Sequence, residues 1–179
     1  MNLHSKDYYQ DEKESCCNKA GEAKALLKCK ASNPVTVIPT ADTAVGTPGT
    51  AVLTPRLATL SLGTRCFNDP CIKFDFSTNL VITPGTDTAV AVTFQLNRLC
   101  KGETVATAIG NSWVYSTEAV ITDIITFLIC DCYSSCNIDC CTYFISASTV
   151  ATLTVEDGGA TTSTVTFNNS TLSALVVGK

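Results

Sequence analysis

Twice between residues 71 and 97 the chain alternates apolar and polar side chains with a period of two. Ile72, Phe74 and Phe76 interleave with Lys73, Asp75 and Ser77, and Val90, Val92, Phe94 and Leu96 with Ala91, Thr93, Gln95 and Asn97. Successive side chains of a strand leave opposite faces of the pleat, so this is the signature of half-buried strands; a helix would scatter the same residues around its axis. Ala151, Leu153 and Val155 repeat the pattern, as do Val165 and Phe167. Threonine occurs 27 times, and β-branched side chains fit a pleated surface. Turn signals fall between the apolar runs, at Asn68-Asp69-Pro70, Pro84-Gly85, Lys101-Gly102, Gly110-Asn111, Asp157-Gly158-Gly159 and Asn168-Asn169. Without long amphipathic helices between them, they predict an all-β fold. The expected architecture is a jelly-roll-like antiparallel β-sandwich of about eight to ten strands. Residues 39–55, with three prolines and two glycines, read as an exposed loop or frayed edge. Residues 121–129 are apolar on both faces, as suits a strand in the middle of the core or beneath a partner.

Charge divides the chain. Residues 1–30 carry 11 of the 28 charged side chains, and the other 149 residues carry 17, of which 11 are acidic. Residues 1–22 are polar and lack alternation, so they are expected to form a flexible N-terminal connector arm, followed by a β-sandwich domain over residues 23–179. The segment 18–30 (NKAGEAKALLKCK) suits a short helix by composition, although Leu26 to Cys29 could equally open the first strand. A net charge of −4 without a basic cluster beyond residue 30 argues against nucleic acid as a partner. No run of 18 apolar residues suits a bilayer-spanning helix, and the first residues lack the apolar stretch of a secretory signal.

Eleven cysteines, at 16, 17, 29, 66, 71, 100, 130, 132, 136, 140 and 141, imply an oxidised framework outside a reducing cytosol. The number is odd, so at full oxidation at least one must pair with another chain or stay free. A zinc site at Cys130, Cys132, Cys136, Cys140 and Cys141 would need paired knuckles of matching spacing, and no second knuckle is present. A redox dithiol would need Cys-x-x-Cys, which is also missing. Disulfides are therefore the expected role, with no metal and no cofactor, and a metal-binding Cys cluster over residues 130–141 is the alternative. If Cys140 and Cys141 open a strand, their thiols point to opposite faces. Cys16 and Cys17, adjacent on an extended arm, read as a two-pronged attachment to another chain or as a bridge back to the sheet. Cys66 and Cys71 flank a turn that one bridge between them would pin. Cys66, Cys71, Cys100, Cys130, Cys132 and Cys136 are assigned to local disulfides or thiols.

Catalysis finds little support. The one histidine, His4, lies in the arm, which leaves the domain without a base for a Ser-His-Asp or Cys-His site. Asp75, Asp87, Glu118 and Asp123 are scattered over predicted turns and outward faces. Trp113 and Tyr115 could stack on a sugar in a surface binding module, although a Trp-x-Tyr pair is more often core or interface packing. The expected class is therefore a structural protein rather than an enzyme.

The segments Cys71 to Ile82, Val92 to Cys100 and Phe127 to Cys132, with Cys140-Cys141-Thr142-Tyr143-Phe144, resemble an uncharacterised cysteine-rich β-domain family of clostridial-type spore formers. The likeness covers roughly residues 25–178. In design, the arm with Cys16 and Cys17 is similar to endospore-appendage (Ena-type) pilus subunits. That resemblance implies a jelly-roll subunit of a self-assembling homopolymer at a spore or cell surface, whose arm bonds covalently to other copies while sheets pair edge to edge. It implies Cys16 and Cys17 as donors, with Cys29 and one of Cys140 or Cys141 as acceptors. Release by mother-cell lysis would reconcile many disulfides with the lack of a signal peptide.

Overall fold

The computed structural model describes residues 25–42, 44–64, 67, 69–132, 140–155 and 161–178. Nine strands form among them: β1 (Ala25–Ala31), β2 (Val35–Val37), β3 (Val52–Leu62), β4 (Cys71–Thr83), β5 (Thr88–Cys100), β6 (Thr107–Thr117), β7 (Ile121–Cys132), β8 (Cys141–Leu153) and β9 (Thr164–Val177). One sheet runs β1-β9-β4-β7, with β2 continuing the β1 edge along β9; the other runs β3-β8-β5-β6. Every pairing is antiparallel. Except for the β5–β6 hairpin, each strand pairs with strands distant in sequence, while the chain crosses back and forth between the sheets. A five-stranded and a four-stranded layer wound in this way form a jelly roll, as the alternation predicts.

The pleat explains the burial. Ile72, Phe74, Phe76, Leu80 and Ile82 of β4 face Val90, Val92, Phe94 and Leu96 of β5 across the sandwich, and all are buried. Val165 and Phe167 complete this layer from β9, and Tyr143 and Ile145 from β8. Aromatic rings line the space between the sheets: Phe74 meets Tyr143 at 4.6 Å, and Phe94 meets Phe167 edge-on at 5.9 Å. Towards the open side formed by β6 and β7, Phe76 meets Phe127 at 4.9 Å and Trp113 stacks on Phe127 at 4.2 Å. Trp113 and Tyr115 share the inward face of β6 and pack on the core. This is the core packing that the sequence reading set beside sugar stacking for the pair.

Several expectations change. The helical alternative for residues 18–30 fails where the structure describes it, because Ala25–Ala31 pair residue for residue with β9. A seven-residue ladder supplies partners that an isolated short helix lacks. The segment 39–55 is largely an exposed loop up to β3, as one of its two readings expects, but it is pinned rather than frayed: Thr40 bridges Thr162, Pro48 bridges Thr152, and Ala41 is buried. Two expected turns are bulges inside strands. Gly110 (φ 67°) sits within β6 where its register with β5 shifts, and Asn169 (φ 53°) sits within β9 where its register with β4 shifts. A single left-handed residue can be absorbed as one extra residue in a ladder, so it need not reverse the chain. Val155 falls beyond the end of β8 and is exposed, so the third member of that alternation does not reach the core. β7 is an edge strand, not a central one, and its outer face leaves Ile124 71% and Leu128 49% exposed.

Candidate functional site

The sheet pairings set out the cysteines. On the outer face of the first sheet, cross-strand rows read Ala25–Val177–Cys71–Cys132, then Leu27–Leu175–Lys73–Cys130, then Cys29–Ser173–Asp75–Leu128. The first row contains a disulfide, Cys71–Cys132, with Cα atoms 4.1 Å apart. A second cross-strand disulfide joins Cys100 at the end of β5 to Cys141 at the start of β8, with Cα atoms 3.9 Å apart. Cys29, Cys130 and Cys140 are free and exposed. Cys16, Cys17, Cys66 and Cys136 lie outside the described residues, as does the connector arm.

Two cysteine expectations are corrected. Cys141 was a candidate for bonding between chains, but its thiol is buried and committed to Cys100 within the chain. Alternation turns Cys140 the other way, into solvent, so Cys140 is the outward member of that pair. The bridge expected between Cys66 and Cys71 is replaced by Cys71–Cys132, because the β4–β7 register sets Cys132 directly opposite Cys71. Around the free thiols the outer face is apolar, with Leu27 72%, Leu175 36% and Val177 45% exposed. The Lys73 ammonium lies 3.3 Å from the Asp75 carboxylate on the same face.

Asp131, between Cys130 and Cys132, points inward and faces Arg98 of β5 across the sandwich, at 3.9 Å. Burial raises the Asp131 carboxyl above its ordinary value, and the Arg98 guanidinium partly offsets this. The neighbouring Tyr143 hydroxyl is pushed up chiefly by burial and then by the Asp131 charge, so it stays protonated. Sequence reasoning passed over this pair, yet a signal was there: Arg98 continues the inward phase of Val90, Val92, Phe94 and Leu96. A raised carboxyl pKa means that the folded chain holds more protons than the unfolded one between about pH 4 and the raised value, so the contribution to stability falls as pH rises through that window. Arg98→Met is expected to cost about 3 kcal/mol near neutrality, by leaving the Asp131 charge without its partner. The loss should shrink at pH 4, where Asp131 can take up a proton; urea titrations at the two pH values measure the difference.

The other acids flagged from sequence stay on the surface. Asp87 sits in the β4–β5 turn with φ 50°, and the Asp123 carboxylate accepts a bond from the Ile124 N–H at 2.8 Å. Glu118 is exposed in the β6–β7 connection. Among the described residues, no group of three or more His, Cys, Asp or Glu side chains converges as a metal site would require. No helix among them is long and apolar enough to cross a membrane.

Comparison with solved structures finds viral shell proteins. The infectious bursal disease virus VP2 subviral particle aligns over 90% of this chain at 12% identity, with a TM-score of 0.39. The Gx strain of that virus aligns over 90% at 11% identity and a TM-score of 0.28. Desmodium yellow mottle tymovirus aligns over 90% of this chain and 91% of its own at 7% identity, with a TM-score of 0.22. The chain spans 38% of the VP2 chain and 42% of the Gx-strain chain. At these scores the jelly-roll assignment rests on strand order, not on the neighbours. No curated protein matches the sequence. A family model matches residues 23–177, and the chain thereby belongs to DUF4489, a domain of unknown function.

Proposed function

We propose that this protein is a structural subunit of a self-assembling extracellular or endospore-surface filament, a pilus-like appendage held together by disulfides between copies. The observation that carries the reading is the contrast between two kinds of cysteine. Four thiols close cross-strand bonds within the chain, while Cys29, Cys130 and Cys140 stand free on its surface. An oxidised protein with three exposed free thiols is chemically poised for bonds to other chains. The likeness in design to endospore appendages supplies the donors, Cys16 and Cys17. The exposed thiols supply the docking ground.

The surface supports the same reading. Both sheets have open edges, which act as bonding surfaces in a fibre although they are hazards in a monomer. Ile124, Leu128 and Leu27 lie at or beside such edges, and each would contribute about 1.5–3 kcal/mol if a partner covered it fully. The test is a gel. Purified protein boiled in detergent without reductant should give a ladder of high-mass species that collapses to one monomer band with reductant. A single monomer band in both lanes would overturn the proposal.

A further inference from the structure

The two edges of the first sheet, β7 and β1, are complementary in backbone direction, hydrogen-bonding phase, charge and sulfur. We infer that copies join by antiparallel pairing of β7 of one copy with β1 of the next, which sets Cys130 opposite Cys29 to form an interchain disulfide. This rests on the filament reading above and specifies one of its contacts.

Direction comes first. Strands alternate along β1-β9-β4-β7, so β1 and β7 run in opposite senses. A copy placed beside another without inversion therefore continues the sheet as antiparallel, with no break in the alternation. Phase comes second. Directly opposed antiparallel residues alternate between pairs that exchange hydrogen bonds, about 5.5 Å apart, and pairs that exchange none, about 4.5 Å apart. Cys71 and Cys132, at 4.1 Å, are a non-bonded pair. Cys130, two residues back and opposite Lys73, has the same phase, so its N–H and C=O turn away from β4 to the open side.

The β1 edge gives the matching answer by two routes. The Ser32 N–H donates to the Ser170 carbonyl at 2.9 Å, so the even-numbered residues of β1 bond to β9 and Cys29 turns its N–H and C=O outward. The row Ala25–Val177–Cys71–Cys132 agrees, since a non-bonded last pair makes the middle pair bonded and the first pair non-bonded. Cys29 and Cys130 thus both present backbone groups to an open edge, and both thiols lie on the same outer face. A bonded antiparallel pair has a Cα spacing of about 5.5 Å, within the disulfide range.

Charge chooses between edges. β1 carries Lys28 and Lys30, and β7 carries Asp123 and Asp131. Joining β1 to β1 would set lysines together, whereas joining β7 to β1 in the Cys29–Cys130 register places Lys28 opposite Asp131, with Asp123 beyond the end of β1. The contact is head to tail and does not close on itself, the condition for an open filament. Within one copy Cys130 shares its row with Leu27, not Cys29. Each added copy therefore shifts by two residues, about 7 Å, along the strands.

The bond forms by two exchanges with a low-mass disulfide such as oxidised glutathione. The Cys29 thiol loses its proton and its thiolate attacks the glutathione disulfide, giving a mixed disulfide and one glutathione thiol. The Cys130 thiolate then attacks the protein sulfur and releases the second glutathione thiol. Two protein thiols are oxidised as one disulfide is reduced. The pairing leaves Cys140 as the described exposed thiol open to an arm.

The test mixes ordinary and nitrogen-15-labelled full-length protein, oxidises the mixture with glutathione disulfide, alkylates it and digests it without reduction. Mass spectrometry should find Cys29 and Cys130 peptides joined in mixed-isotope form. Leu128→Pro provides the second variant. Leu128 shares the phase of Cys130 and stands opposite Ala31 in the proposed register, so its N–H faces the open edge and proline there removes no bond to β4. The variant should keep both internal disulfides and its unfolding temperature to within a few degrees, yet lose at least ten-fold of the mixed-isotope peptide. Ladders in which Cys29 and Cys130 are recovered alkylated would overturn this pairing and leave the filament reading standing. A link from Cys29 to Cys140, or undiminished linkage in Leu128→Pro, would also overturn it. The lack of any ladder would overturn both.

Discussion

With Cys16, Cys17 and Cys29 all replaced by serine, the protein is expected to run as a monomer on a non-reducing gel after boiling, where the unaltered chain gives a ladder. The triple replacement removes both kinds of link in the account: the arm donors and one sulfur of the β7–β1 contact. Cys16 and Cys17 precede Ala25 by nine and eight residues, so their thiols can lie at most about 30 Å from the start of β1, within reach of an adjacent copy. Cys16→Ser with Cys17→Ser alone should leave a weaker ladder held through Cys29 and Cys130. Cys29→Ser alone should leave links made through the arm. Because Cys29 is exposed and unbonded within the chain, its loss should not disturb the sandwich. A ladder of full strength in the triple variant would mean that other sulfurs join the copies.

Removing the bond between β5 and β8, by Cys100→Ala with Cys141→Ala, is expected to lower unfolding free energy by about 3–4 kcal/mol, the size that loop-closure entropy gives for such a span. The two cysteines are 41 residues apart in sequence and buried where the strands meet. Alanine at both positions leaves no thiol stranded in the core. A reductant opens Cys71–Cys132 as well, so in a urea titration it should lower the unaltered protein at least to the variant's stability. Equal stability with and without reductant would show that this bond contributes nothing to the fold.

The fold was largely legible, and particular residues show why. The inward phase of Ile72, Phe74 and Phe76, and of Val90 through Leu96, depends only on a period of two, which the sequence displays directly. Register between distant strands is set by whole-sheet packing, which no local window contains. Cys66 therefore looked like the partner of Cys71, since proximity in sequence was the available measure, although Cys132 lies directly across the ladder. Gly110 and Asn169 carry the residue types of turns, but a left-handed residue serves a bulge equally well. The double-faced apolar run of β7 was read as mid-core or beneath a partner. Its place at an edge, with Ile124 and Leu128 uncovered, removes the first reading and makes the second the basis of the interface argument. At Cys140 and Cys141 alternation separated one inward and one outward thiol, and the β5–β8 pairing decided which was which.

Assembly of the subunit into a fibre is the claim on which the rest depends, and negative-stain micrographs of the purified full-length protein test it most directly. The account predicts uniform filaments that persist after boiling without reductant and come apart with it. Fields of isolated particles of single-subunit size, unchanged by reductant, would contradict it.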